Sequence, residues 1–371
     1  MTSGCTEPRQ FGRFIAELLN MHPERRGWGA FGAYTLSGEL PRERELAQLE
    51  AELVELSRDP ITADRNQARI EHLEVAWLRC AKELYRSLEP WETVFVARHP
   101  NRPLVTDYIR HCVQDFCELH GDRLYGDDQA IVTGFGYVGA HRVMIIGHNR
   151  GRSLPERVSC NFGCPHPEGY RKALSKMQLA AKYGLPVISL IDTPGAYPGM
   201  QAEERGVARA IALNLSIMPR LKVPLIAVVI GEGGSGGALG IAVSDRMAML
   251  EHSIFSVISP EGCSAILWKD SQEAKQAASA LKLRAADLHD LRLIDEIIPE
   301  PVGGAHRNHL AAAIGVETFL VRTLNELKGL SSDELLARRY ERLRALGAAY
   351  VCAVESPRGN PDTPGNLTTK L

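Results

Sequence analysis

An excess of either charge is missing from this chain: 43 Lys and Arg stand against 45 Asp and Glu, for a formal net charge of −2. Such a balance leaves no electrostatic footprint for nucleic acid or for an anionic membrane surface. Long apolar runs are missing too. LIAVVI at 225–230 is six residues, whereas a membrane-spanning helix needs roughly 20. The N-terminus has no h-region and mixes Glu7, Glu17 and Glu24 with arginines, so no signal peptide is expected and the cytoplasm is the expected location. The eight cysteines are spread singly apart from Cys112/Cys117 and Cys160/Cys164, and no CxxC pair occurs. A zinc ribbon or a thioredoxin-like site therefore lacks its ligands, and reduced, mostly buried thiols with no metal are expected. Histidines are scattered without an HExxH pattern, so each reads first as a surface or capping residue.

Glycine is what the chain does have, and two dense clusters of it follow short apolar strands. The first segment is LPVISLIDTPGAYPGM, 185–200, with Gly195 and Gly199. The second is VPLIAVVIGEGGSGGALG, 223–240, with Gly231, Gly233, Gly234, Gly236 and Gly237. Glycine lets backbone N–H groups approach a ligand closely and take conformations that other residues resist. Two such loops at strand ends read as amide cradles for an anionic oxygen. Chemistry of this kind leaves few catalytic side chains to find.

Around these loops the organisation is alternating. Residues 1–40 show no periodicity and read as a weakly structured extension. Leu46, Leu49, Leu53 and Leu56 recur at helical spacing, and Asp59-Pro60 is expected to stop that helix. Asp64 can cap a second one carrying Ile70, Leu73, Trp77, Ala81 and Leu84. Together they make a helical hairpin, 41–88, whose narrow apolar seam suits another subunit as well as the chain's own core. A third helix after Thr106-Asp107 is expected to bury Ile109, Val113 and Phe116 and to end at Gly121. Beyond it, strands at 130–138, 142–148, 186–191, 224–230, 246–250 and 254–258 interleave with helices at 168–183, 201–217 and 236–243 and from Glu261. Helices at 307–328 and 332–347 close the series. Strand–helix alternation implies a mostly parallel sheet covered by helices, an α/β fold. A main domain is placed at 89–350, and 351–371, rich in Pro, Gly and Asn, is expected to be disordered.

Three familiar motifs mislead. Gly231-x-Gly233-x-x-Gly236 matches the dinucleotide fingerprint with Glu251 twenty residues on, but the helix after it is short and holds Gly240. Gly233-Gly-Ser235-Gly-Gly237 matches a nucleophile elbow, with Asp245, Asp270, His289 and His306 downstream, yet no HGGG-type oxyanion segment precedes it. Asp192-Thr-Pro-Gly195 resembles a GTPase DxxG element; the phosphate loop it requires is replaced by Gly147-His-Asn-Arg-Gly151-Arg-Ser153, one residue short and with Arg for Lys.

Longer strings are more specific. They are ARHPNRP (97–103), GDRLYGDDQAIV (121–132), VMIIGHNRGR (143–152), NFGCPHPEGYRKAL (161–174), IDTPGAYPGMQAEERG (191–206), VIGEGGSGGALGIAV (229–243), FSVISPEG (255–262) and IIPEPVGGAHRN (297–308). From about Glu89 to Gly347 the chain resembles the alpha subunit of the acetyl-coenzyme A carboxylase carboxyltransferase. The resemblance implies a crotonase-like (ClpP/crotonase) fold of repeated strand–strand–helix units. It implies transfer of carboxyl from carboxybiotin, on a separate carrier protein, to acetyl-CoA, giving malonyl-CoA for fatty acid synthesis. The partners it implies are a zinc-ribbon-bearing beta subunit that shares the active site, the biotin carboxyl carrier protein and biotin carboxylase. An α2β2 heterotetramer is implied as well, with ATP and other nucleotide binding as labels of the whole complex.

The chemistry fits the glycines. Charge collects on biotin's ureido oxygen when carboxyl leaves and on the thioester oxygen when acetyl-CoA loses a proton. Two oxyanions call for two sets of donors, and by resemblance this chain supplies the set for the ureido oxygen. The candidate donors are the N–H groups of Gly195, Ala196, Gly233, Gly234, Gly236 and Gly237, with Gly199 also lining the cofactor. Gly236 and Gly237 open a helix whose positive end favours the same oxygen. Arg150 and Arg152 are candidates for pairing with CoA phosphates, with a solvated face or a subunit salt bridge as the plainer reading. Glu203, Glu204 and Arg205 read as helix-favouring. The family's basic stretch before NFG is replaced here by Val158-Ser159-Cys160, and Cys164 stands where methionine is common; both weaken any phosphate or partner contact from that loop. A self-sufficient crotonase-fold acyl-CoA hydrolase or hydratase and a non-catalytic scaffold remain as alternatives.

Overall fold

The computed structural model describes residues 41–57, 66–270 and 273–347. A 3-10 turn, Pro41–Glu43, leads into α1 (Arg44–Leu56), and α2 follows at Gln67–Arg86. The leucines of α1 close on the apolar face of α2: Leu46 and Leu53 share one buried cluster with Ile70, Leu73, Trp77, Ala81 and Leu84. Phe95, Val96 and Val302 of the main domain complete it, so the seam is filled from within the chain. Arg307 fastens the hairpin through Glu43 (2.9 Å) and Glu50. The expected stop at Asp59-Pro60 and cap at Asp64 lie outside the described residues, as do the extension 1–40 and the tail from 348.

A capping box of Glu89 and Glu92 starts α3 (Pro90–Ala97). The next helix, α4, spans only Val105–Cys112, and Gln114–Glu118 is strand β1. The expected continuation through Val113 and Phe116 to Gly121 is therefore corrected. β1 pairs with β2 (Ile131–Val138), where a Cβ on Gly134 would fall 2.5 Å from the Phe116 ring and one on Gly136 would fall 2.3 Å from Val113. Those two glycines give Phe116 and Val113 their seats, and sheet pairing outweighs the helical spacing.

The remaining elements are β3 (His141–His148), α5 (Leu154–Ser159), α6 (Pro167–Lys182), β4 (Val187–Thr193), α7 (Met200–Glu204), α8 (Val207–Ile217), β5 (Leu225–Gly234), α9 (Ser235–Ala242), β6 (Arg246–Leu250), β7 (Ile254–Ser256), α10 (Pro260–Leu267), α11 (Ala274–Leu281), α12 (Ala285–Asp290), β8 (Glu296–Ile298), α13 (His309–Lys328) and α14 (Ser332–Ala345). The one helix expected at 201–217 is two, broken at Gly206, whose left-handed φ of 77° ends α7 and caps α8.

The sheet runs β1-β2-β3-β4-β5-β6-β8, with β7 paired to β5 beyond the end of β6. β1, β2 and β3 are antiparallel neighbours, and from β3 onward the pairs are parallel. β4 is buried along its whole length, which accounts for its unbroken apolar run: both faces are covered. α4, α13 and α14 pack Tyr108, Phe319, Leu320 and Leu335 onto one face, against Ile188, Ile226 and Val228. α6 and α9 pack Ala173, Met177, Ala238 and Ile241 onto the other, against Ile191 and Val229.

A buried arginine ties the C-terminal helix to this sheet. Arg339 of α14 makes two 2.7 Å bonds to Asp245 and also donates to the carbonyls of Leu221 (2.7 Å) and Val223 (2.8 Å). Parallel strands with crossover helices bring the C-terminal ends of β4 and β5 out on one edge, where ligands of open α/β sheets bind.

Candidate active site

β4 and β5 keep register from Val187 opposite Leu225 to Ile191 opposite Val229; an irregularity then places Thr193 opposite Gly233. Both glycine loops thus leave the sheet side by side. They touch through backbone. A Cβ on Gly234 would lie 2.1 Å from the carbonyl oxygen of Pro194, and one on Gly237 would lie 2.4 Å from the nitrogen of Ala196. Only glycine admits the first loop at these two places. Gly195 has φ 153°, and its N–H donates to Thr193 Oγ1 at 3.1 Å, while the Thr193 hydroxyl donates to the Gly163 carbonyl at 2.6 Å.

The six candidate donors are therefore not equivalent. Gly233 sits in the ladder, opposite Thr193 on one side and Phe255 of β7 on the other, and Gly234 is opposite Ser256. Gly195 spends its N–H on Thr193. Gly236 and Gly237 are the second and third residues of α9, where no carbonyl lies one turn back to receive their N–H groups. The helix dipole adds positive potential at the same point. A Cβ on Gly236 would meet nothing within 4 Å, so this residue faces open space. Gly199 precedes α7, and its missing side chain makes room for the Tyr197 ring, 2.3 Å from a built Cβ. Ser235 is exposed with φ 55° at the strand–helix joint, a left-handed turn that carries the chain from β5 into α9.

Charged side chains meet just behind the loops. Arg150, which follows β3, turns inward: Nη1 is 3.2 Å from Asp192 Oδ1 and 3.5 Å from Glu232 Oε2. Asp192 Oδ1 also accepts the N–H of Glu232 at 3.0 Å. Arg98 grips Glu232 Oε1 from the far side at 2.7 and 3.1 Å and reaches Glu261 of α10 at 2.6 Å. Burial works against the charge on Arg150, but Asp192 and Glu232 outweigh it and the pKa lies above the ordinary value. Burial pushes the Asp192 carboxyl up, opposed first by Arg150 and then by the Glu232 N–H. Arg152, the other candidate for cofactor phosphates, bonds Asp107 at the start of α4.

Neighbouring groups support the first loop. Arg205, at the end of α7, holds Glu168 through two bonds (2.9 and 3.1 Å) and lies 4.5 Å above the Tyr125 ring. His166 lies against Tyr197 in a tilted pair, 4.2 Å between ring centres. His148, at the end of β3, is fully buried, and burial pushes its pKa down to about 3 against an opposing pull from the Gly237 backbone. In the 158–164 segment, Asn161, Phe162 and Gly163 all have left-handed φ (49°, 55° and 84°), Cys160 is buried, and Phe162 is exposed under Arg157. Among the described residues, no group of three or more His, Cys, Asp or Glu is placed to hold a metal ion.

The sequence reading did not single out Arg98, Glu232, Glu261 or His148 as site residues, and it met Asp192 only inside a DxxG-like motif and a longer string. A signal was present. Asp192 and Glu232 are single acids ending otherwise apolar strands, and a carboxylate buried there needs a cation.

Over residues 39–347 the chain matches the family model described as acetyl co-enzyme A carboxylase carboxyltransferase-like. It is 51% identical over 305 residues to the acetyl-coenzyme A carboxylase carboxyl transferase subunit alpha of Rhodopirellula baltica, covering 82% of this chain and 96% of the relative. Identity is also 51%, over 310 residues, to the protein of the same name from Vibrio vulnificus, covering 82% and 97%. Among solved structures, a Pseudomonas malonate decarboxylase hetero-tetramer in complex with coenzyme A aligns with a TM-score of 0.50 at 16% identity, covering 62% of this chain and 91% of that one. That likeness bears on the fold alone, which is the crotonase-like arrangement of sheet and helices.

Proposed function

From the premise that this chain belongs to the family of acetyl-coenzyme A carboxylase carboxyltransferase alpha subunits, we propose that its paired glycine loops hold the ureido oxygen of biotin during carboxyl transfer. The chain is a subunit of a biotin-dependent carboxyltransferase acting on acetyl-CoA. One observation carries the assignment of the site: at Gly234 and Gly237 the two loops pack backbone to backbone, while at Gly236, the second residue of α9, a side chain would meet nothing within 4 Å. Space without a competing side chain, at a helix start whose first amides have no acceptor within the helix, suits a neutral ring system with one oxygen that gains charge.

Carboxybiotin, when bound, supplies an activated carboxyl group whose departure leaves negative charge on the ureido oxygen. The chain's part is to hold donors in place before that charge appears. Gly236 and Gly237 offer N–H groups at the positive end of α9, and Ala196 stands across from Gly237 on the first loop. Each preorganised donor of this kind is worth roughly 3 kcal/mol of barrier, about a hundredfold in rate. No buried His–Glu or Ser–His pair is required of this chain where a nitrogen of bound biotin can serve as the base. Arg152 is exposed enough, at 38% of its side chain, to serve the rim of a CoA site while bonded to Asp107.

The second cradle, for the thioester oxygen, is assigned to a beta subunit bearing a zinc ribbon. The carboxyl group arrives on the biotin carboxyl carrier protein after loading by ATP-dependent biotin carboxylase, the expected assembly of the transferase is α2β2 in the cytoplasm, and malonyl-CoA feeds fatty acid synthesis. The test is reverse transfer: malonyl-CoA decarboxylation that depends on biocytin, assayed with this chain alone and with the beta subunit. Activity is expected only in the mixture. Activity of the chain alone would mean a self-sufficient acyl-CoA enzyme, and silence from a properly assembled complex would mean a scaffold.

A further inference from the structure

We propose that Arg150 is a positioning residue for carboxyl transfer, locking the two glycine loops into one cradle through the carboxylates that precede them. The inference rests on the reading of those loops as the biotin cradle. Asp192 lies immediately before Thr193-Pro194-Gly195, and Glu232 immediately before Gly233-Gly234. Arg150 meets both, at 3.2 and 3.5 Å. A single oxygen, Asp192 Oδ1, therefore holds a guanidinium from the end of β3 and the backbone N–H of Glu232, while its own main chain leads into the first loop.

The surroundings are shaped for this pair. A Cβ on Gly231 would lie 2.5 Å from Asp192 Oδ1, and one on Gly163 would lie 2.6 Å from Arg150 Cγ. Both glycines admit protein atoms where a side chain would push the pair apart. Gly163 is in turn bonded to the first loop through Thr193. Glu232 is held on its other oxygen by Arg98, so it cannot follow a displaced loop. Its Oε2 makes no hydrogen bond, and its charge is met by Arg150. Without the guanidinium, the buried Asp192 carboxylate loses its cation beside a Glu232 carboxylate that Arg98 alone compensates. Protonation of Asp192, or separation of the loops, then relieves the repulsion. Either outcome changes where the amides of Ala196, Gly236 and Gly237 point, without touching a group that contacts CoA.

The experiment uses the complex with the beta subunit and the variants Arg150→Met, Arg150→Lys and Asp192→Asn. It reads kcat, and KM for malonyl-CoA, in biocytin-dependent decarboxylation, with assembly checked by size and folding by thermal unfolding. Arg150→Met is expected to lower kcat about 10²-fold, the cost of misplacing a reacting group by an ångström, with KM for malonyl-CoA within about twofold. Arg150→Lys, which keeps the charge but loses the fork, is expected to recover about a tenth of the wild-type rate. Asp192→Asn keeps an acceptor for the Glu232 N–H while losing the ion pair, and a tenfold or larger fall in kcat is expected; this variant decides the matter if Arg150→Met does not assemble. Unchanged kcat in an assembled variant overturns the inference. A rise in KM for malonyl-CoA at constant kcat also overturns it, making Arg150 a CoA contact instead. An inactive wild-type complex overturns the reading of the site, and the inference with it, whereas an active wild type with indifferent variants overturns the inference alone.

Discussion

Alanine at position 234 puts a methyl carbon 2.1 Å from the Pro194 carbonyl oxygen and 2.4 Å from its carbonyl carbon. Carbon and oxygen need about 3.2–3.5 Å, so a gap of roughly 1 Å must open, and no side chain can swing aside to provide it because the neighbour is backbone. β5 is pinned by β4 on one side and β7 on the other, so the Pro194 loop is the part that yields. Shifting one wall of a donor cradle by about 1 Å costs on the order of 10² in rate, about 2.7 kcal/mol, comparable to deleting one donor. Gly237→Ala meets Ala196 N at 2.4 Å and Gly195 C at 2.5 Å, with the same expected loss. Gly237 lies in α9, however, where alanine gains up to about 1 kcal/mol of helix propensity, so the rate falls while stability falls less. Gly236→Ala meets nothing within 4 Å; it is expected to fold and assemble at least as well as wild type, and its methyl group enters the proposed biotin space, raising KM for biocytin. The assay is steady-state, biocytin-dependent malonyl-CoA decarboxylation by size-verified complexes, with thermal unfolding in parallel. A Gly234→Ala complex as fast as wild type would refute the reasoning, since the loops would then tolerate an ångström of displacement. So would a Gly236→Ala complex that fails to fold.

Two other outcomes follow from buried charge. Arg339→Met leaves Asp245 buried and uncompensated and strips donors from the carbonyls of Leu221 and Val223; a loss of about 3–5 kcal/mol is expected in denaturant unfolding, and a loss under about 1 kcal/mol would contradict the staple. His148 is a base whose pKa burial lowers to about 3 in the fold. Its stabilising contribution is complete above its ordinary pKa of about 6.5 and is lost as pH falls from there toward 3. Between pH 7 and pH 5 that loss is about 2 kcal/mol, so His148→Leu should show a shallower decline in stability over this interval; identical slopes for variant and wild type would remove His148 from the account.

β4 and β5 were legible because they are buried on both faces, whereas the short, half-buried parallel strand β8 (Glu296–Ile298) went unread. LPVISLI and LIAVVI read as strands from apolarity alone, and the glycines after them marked the loops. The stretch at 105–118 was not legible from its own residues. Ile109, Val113 and Phe116 fit a helix, and the deciding information lay in β2, where Gly134 and Gly136 leave seats for Phe116 and Val113. Gly206 shows the opposite case, a glycine inside an otherwise continuous helical pattern that did mark a break.

The site divides along the same line. Backbone loops announce themselves by composition. An ion network does not, because Arg98, Arg150, Asp192, Glu232 and Glu261 are ordinary residue types spread over more than half of the described chain, and only the fold brings them together. Glycine density itself carried two messages that the sequence could not separate. Gly231 makes way for the Asp192 carboxylate, Gly234 and Gly237 for the first loop, and Gly163 for the Arg150 stem. These four report how tightly protein packs on protein. Gly236 alone among the glycines of the second loop has open space where its side chain would be. The count of glycines therefore pointed to the candidate site, but the one glycine that nothing crowds marks where a ligand has room to sit.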